Sequence, residues 1–171
     1  MGNSPAAPPR RSAESNITAV EDLLRQIIKH GGFNLTFAVK KVAATPDAGE
    51  GPAYTVDFSG TDQDLLLEKN AALLDALESV VFKAVRLDED LFGKITFDCR
   101  GWRQLRIDEL KLMAQVAAER VIESGDPFPL NPMGARDRRI IHLALKDQPK
   151  VRTQSEGFGP ERRVVIVSAV K

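Results

Sequence analysis

The chain has 171 residues, 43% of them hydrophobic and 28% charged, with 24 Lys and Arg balanced by 24 Asp and Glu. That is enough apolar material for one ordinary domain or two small ones, and the longest apolar runs, Ala71 to Leu74 and Val164 to Val167, stop far short of the roughly 20 residues a membrane span needs. A single cysteine, Cys99, excludes an internal disulfide or a thiolate zinc cluster and suits a reducing compartment, so a soluble, cytoplasmic protein without cofactor or metal is expected.

The opening Met1-Gly-Asn-Ser4 lacks the Ser or Thr that myristoylation needs at the sixth position, where Ala6 stands. Residues 1–15, rich in Pro, Ala, Ser and Arg without periodicity, are expected to be a disordered tail. Ile17, Val20, Leu23, Leu24, Ile27 and Ile28 then fall at helical spacing, with Ser15 or Asn16 as cap and Gly31-Gly32 as stop. Phe33, Leu35, Phe37 and Val39 alternate with polar or small residues. Beyond a loop over 45–52, Tyr54 to Phe58 alternates again, which predicts a hairpin.

Gly60 breaks the second strand. Leu73, Leu74, Leu77, Val80, Val81 and Ala84 mark a helix over 65–85, and 94–99 reads as a third strand. After Gly101 a long helix is expected, with Leu105, Leu110, Met113, Ala117 and Val121 on its apolar face and Gly125 at its end. Three prolines among residues 126–133 allow an edge strand or an extended connection there. A further helix over about 134–147 and two alternating runs, 151–155 and 163–170 around the turn residues 157–160, complete an α+β chain.

The zero net charge hides an asymmetry. Residues 134–171 carry nine Lys or Arg against four Asp or Glu, about +5, whereas residues 16–100 carry nine against fourteen, about −5. Because the Debye length is only about 8 Å, a local patch decides contact with a polyanion more than the sum does.

Within the basic part, Arg138 and His142 stand four residues apart on a predicted helix and so share a face, and Lys146 continues the row one turn later. Ile141, Ala144 and Leu145 lie round the cylinder and can face a core. A guanidinium takes a phosphate oxygen bidentately, and an imidazole donates a hydrogen bond or stacks on a base. Single-stranded nucleic acid is the ligand these side chains fit, RNA or DNA, with intramolecular packing as the competing role.

Arg136 and Arg139 suit neighbouring phosphate contacts or a solvated face. Arg162 and Arg163 either extend the patch or blunt a strand edge. Trp102 is read as a packing residue and Cys99 as a small buried hydrophobe. Phe158, between two glycines, is hard to place in a core, which leaves stacking on a nucleotide open. His142 has only Asp137 as a nearby acid, Asp62, Asp64 and Glu68 suit helix capping, and no phosphate-binding glycine loop or His/Cys metal spacing occurs, so no enzymatic activity is expected.

Arg138-Arg-Ile-Ile-His-Leu-Ala-Leu145, Val151-Arg-Thr-Gln-Ser-Glu-Gly157 and Arg162-Arg-Val-Val165 together resemble the Jag/KhpB (SpoIIIJ-associated) family of bacterial proteins, in which a KH domain precedes an R-three-H (Arg-x-x-x-His) domain. The resemblance covers roughly residues 16–171, with Leu74-Asp-Ala-Leu77 standing where the family carries its second KH helix. It implies a KH-like domain over 16–100, an R-three-H domain over 101–171, and non-catalytic binding of single-stranded RNA. It also implies a regulatory link to cell shape or elongation and, as a partner, a small KH-domain protein. The family's Gly-x-x-Gly loop reads Glu68-Lys-Asn-Ala71 here, leaving Lys69 and Asn70 as the contact chemistry of that half and opening the alternative of a protein-interaction adaptor. Some members carry a further N-terminal domain, for which this chain offers only a short tail.

Overall fold

The structure, a computed structural model, describes residues 12–42, 52–87, 91 and 93–169. Residues 1–11 of the expected tail and most of the expected 45–52 loop lie outside the described residues. The chain divides into two compact units, Met1–Trp102 and Arg103–Lys171, each with its own hydrophobic core and its own three-stranded sheet.

In the first unit, α1 (Ala13–Gly31) starts earlier than Ser15. Ser12 is the cap, its Oγ accepting the Ser15 N–H at 3.1 Å, and Gly32 closes the helix in the left-handed region at φ 68. Val20 and Leu24 are fully buried, and Ile17, Leu23, Ile27 and Ile28 pack round them, as the spacing predicts. Strands β1 (Leu35–Lys41) and β2 (Tyr54–Gly60) pair antiparallel with Phe37 opposite Phe58. Strand β3 (Ile95–Cys99) lies parallel to β2, a pairing that requires a crossover, and α2 (Gln63–Ala84) supplies it. Phe58, Phe97 and Phe82 form a chain of tilted and edge-on rings, with centroids 5.4 and 5.3 Å apart, between that helix and the sheet.

Helix α2 is not the uninterrupted helix its periodicity suggests. Glu68 leaves helical geometry, and Lys69, Asn70 and Ala71 follow at φ 51, 59 and 58, in the left-handed region that costs an L-residue roughly 1–2 kcal/mol each. Packing supplies the reason. Leu66 and Ala71, five residues apart, stand about 140° apart on a straight helix, yet both are buried; the break lets both reach the core. Beyond it, Leu74 and Val81 face inward while Leu73 and Val80 stay exposed.

In the second unit, α3 (Trp102–Ser124) is followed by the two-residue β4 (Phe128–Pro129), α4 (Ala135–Ala144), β5 (Val151–Glu156), a short 3-10 turn over 159–161, and β6 (Arg163–Ser168). The sheet is antiparallel in the order β4-β6-β5. The buried row of α3 is Leu110, Ala114, Ala117, Ala118 and Val121, whereas Leu105 is 64% exposed. Leu105 lies five residues before Leu110, off the buried face, and the alanines that define that face are a weaker apolar signal than the leucine beside them. Against this row pack Ile141 and Leu145 from α4 and Val151, Val164 and Ile166 from the sheet.

Candidate functional site

Ile141, fully buried, fixes the rotation of α4, and four-residue spacing then places Arg138 and His142 together on its half-buried flank. Strand β5 runs alongside. Its alternation sends Val151, Thr153 and Ser155 to one face and Arg152, Gln154 and Glu156 to solvent. The two patterns meet in a four-residue cluster. His142 Nδ1 lies 2.6 Å from Thr153 Oγ1, His142 Nε2 lies 3.0 Å from Ser155 Oγ, and Arg138 Nη1 donates to the same Ser155 Oγ at 3.3 Å. Arg138 Nε is buried without a hydrogen-bond partner, and Nη2 has none among the described residues. Burial, and secondarily the Arg138 charge, push the His142 pKa below the ordinary histidine value, so the ring is neutral at pH 7.

A second polar contact anchors the start of α4. Arg106 on α3 donates from Nε and Nη2 to Asp137 Oδ2 at 3.0 and 2.9 Å, and from Nη1 to Glu109 Oε2 at 2.8 Å. Burial works against the Arg106 charge, but these hydrogen bonds outweigh it and its pKa moves up. The carboxylate next in sequence to Arg138 is thereby matched by a cation of the same unit, and its repulsion of an approaching anion is reduced.

Arg136 and Arg139 are exposed on α4. The helix ends at Ala144, three residues before the expected boundary, so Lys146 sits in a turn, its N–H bonded to Leu143 O, and does not extend a helical row. Arg162 follows the 3-10 turn and Arg163 pairs with Glu156 across the β5-β6 register, both exposed. Lys69 and Asn70 are exposed on the break in α2 and belong to the first unit. Asp62, expected to cap α2, makes no capping bond and accepts the Asn34 N–H at 2.8 Å instead; Asp64 pairs with Arg100.

Trp102 packs against the first-unit core, and Cys99 is buried, its thiol pKa raised by burial and by Asp57 and Asp98. Phe158 is 91% exposed. Sequence reasoning does not single out Thr153, Ser155 or Arg106. The available signal is a pair of hydroxyl residues two apart on a predicted strand, on the side that also carries the buried Val151. Among the described residues, no group of three or more His, Cys, Asp or Glu is arranged to hold a metal ion, and no helix is long and apolar enough to cross a membrane.

An Arg-x-x-x-His helix laid on a small antiparallel sheet places the second unit in a known class, and the R-three-H domain profile matches residues 108–168. The chain as a whole is similar to proteins of the KhpB family, with a KH-like α-β-β-α-β unit ahead of the R-three-H domain. A protein of Lactiplantibacillus plantarum named RNA-binding protein KhpB is 30% identical over 154 residues, 90% of this chain and 45% of its own length. Proteins of the same name from Clostridium symbiosum and Bacillus subtilis are 32% and 29% identical over 111 residues each, covering 65% and 64% of this chain and 50% and 53% of theirs. The chain therefore spans about half the length of these relatives.

Proposed function

We propose that this protein binds single-stranded RNA without catalysis and that the R-three-H unit is its working surface. The observation that carries the reading is the Arg138 guanidinium, fixed through Nη1 on Ser155 and with Nη2 unpaired among the described residues, on a unit whose residues 134–171 are net positive. Nη2 takes a phosphate oxygen, and the exposed Arg136, Arg139, Lys146, Arg162 and Arg163 supply further phosphate contacts. Both imidazole nitrogens are engaged inside the unit, so direct hydrogen bonding from His142 to a base is not part of this mechanism. The name the relatives carry, RNA-binding protein, supports RNA as the polyanion. A cytoplasmic regulatory role in bacterial cell shape or elongation, with a small KH-domain protein as partner, rests on family resemblance.

A specific feature favours a second role for the KH-like unit. Glu68 places a carboxylate where phosphate would approach, and no glycine opens the backbone, which suits protein docking better than RNA gripping.

The test is fluorescence anisotropy of a labelled single-stranded RNA pool with wild type and an Arg138→Ala/His142→Ala variant, at about 50 and 200 mM salt. Steep weakening by salt and loss of most affinity in the folded variant are the expected results. Equal binding by both proteins would remove this surface from the mechanism and bring the adaptor role forward.

A further inference from the structure

His142 meets two hydroxyls, and its protonation state decides what those hydroxyls do. A neutral imidazole has one N–H and one lone-pair nitrogen, so one hydroxyl of the pair Thr153 and Ser155 gives its proton to the ring while the other accepts from it. An imidazolium has two N–H groups; both hydroxyls then accept from the ring, and both hydroxyl protons must turn elsewhere. Ser155 Oγ already accepts from Arg138 Nη1, and neither hydroxyl has another acceptor among the described residues. Ser155 Oγ lies 3.3 Å from Arg138 Nη1, so its freed proton is within reach of an anion on that guanidinium, and Thr153 lies two residues away on the same half-buried face of β5.

Resting on the RNA reading above, we propose that Thr153 and Ser155 donate their hydroxyl protons to the phosphate oxygen held by Arg138. His142 is then a positioning residue that acts through them, taking up a proton as RNA binds. Proton and charge balance: one proton from solvent moves onto the imidazole, one O–H···N and one N–H···O contact become two N–H···O contacts, and the added positive charge faces the phosphate.

The charged groups on the elements beside the ring are mostly cationic. On and after α4 they are Arg138, Arg139 and Lys146; on β5, Arg152 and Glu156 occupy the solvent-facing alternate positions; on β6, Arg163 is exposed; on α3, Arg106 is held by Asp137 and Glu109. No carboxylate is hydrogen-bonded to the imidazole among the described residues, and Arg138 disfavours its protonation. A bound phosphate supplies the missing counter-charge. The complex then binds more protons than the free protein between the two titration midpoints, so affinity rises as pH falls through that interval and levels below the free midpoint.

The experiment uses the full chain and a short fluorescein-labelled oligouridine, with anisotropy recorded from about pH 5 to pH 8 and NMR titration of the imidazoles with and without the oligonucleotide. Exposed His30 on α1 is the internal reference for any unspecific field. Wild-type affinity is expected to rise roughly three- to tenfold on acidification, the equivalent of a shift of half to one pKa unit. Ser155→Ala/Thr153→Val is expected to lose about tenfold at the acid end and to give a flat profile, while Ser155→Thr/Thr153→Ser keeps both affinity and slope.

Two outcomes overturn the inference: an unchanged slope in Ser155→Ala/Thr153→Val, or a His142 midpoint that RNA moves no further than that of His30. The second is read on wild type and stands even where a variant does not fold. An Arg138→Ala control separates the two levels. Loss of binding there with silent Ser155 and Thr153 variants overturns this inference alone, and no loss there overturns the RNA reading with it.

Discussion

Under the proposed RNA reading, the break in α2 and the α4-β5 cluster contrast two ways of meeting a phosphate group, one by backbone and one by side chain. The first depends on a missing Cβ. At Glu68-Lys-Asn-Ala71 the backbone still bends through three left-handed residues, but the glycines that would bare it are gone and a carboxylate stands at its entry. The second depends on side chains locked to one another, with Arg138, His142, Thr153 and Ser155 in one network and Ile141 buried beneath them. A backbone site loses its chemistry through substitutions that leave its shape intact. A side-chain site keeps its chemistry as long as its network holds.

The largest expected difference between the two regions is in RNA affinity. Arg138→Ala should cost about thirtyfold, the range of a charge-assisted hydrogen bond and its neighbours, whereas Lys69→Ala and Asn70→Ala together should change affinity by less than about threefold in the same anisotropy titration. Comparable losses from both would place the KH-like unit on the RNA as well.

Next comes the anchor of α4. Arg106→Ala leaves Asp137 unmatched beside Arg138 and should lower the stability of the R-three-H unit by about 2 kcal/mol in urea unfolding, with RNA affinity falling several-fold at constant salt. A stable variant with full affinity would show that the pair anchors nothing.

Smaller effects are expected at the break in α2. Lys69→Gly removes one left-handed L-residue and should stabilise the first unit by about 1 kcal/mol, less the entropy glycine adds to the unfolded chain. Glu68→Gly/Ala71→Gly should raise affinity for RNA by about threefold with stability changed by less than about 1 kcal/mol, because loss of the buried Ala71 methyl offsets the relief of its left-handed backbone.

The smallest effect is the pH dependence of stability. The folded pKa of His142 lies below its unfolded value, so its contribution is fully present above the unfolded value near 6.5 and is lost as pH falls through the folded one. Thermal melts of the free protein should therefore shift down on mild acidification, opposite in sign to the expected gain in RNA affinity, and His142→Gln should flatten that part of the curve.

Much of this molecule was legible in one dimension. The alternation of residues 35–39 and 54–58, the helical spacing of α1, the closing hairpin and the four-residue step from Arg138 to His142 depend on periods of 2 and 3.6 residues, which a sequence displays directly. The break in α2, the rotation of α3 that exposes Leu105, and the end of α4 before Lys146 were not legible, because apolar spacing continues across all three and burial decides between nearly equivalent faces. The same limit applies to the site. Sequence determined that an arginine and a histidine share a helix face; only the tertiary structure decided that β5 brings Thr153 and Ser155 against them. That pairing joins residues 11 and 13 positions beyond His142, and contacts between separate elements follow from how both pack on a common core rather than from the period of either.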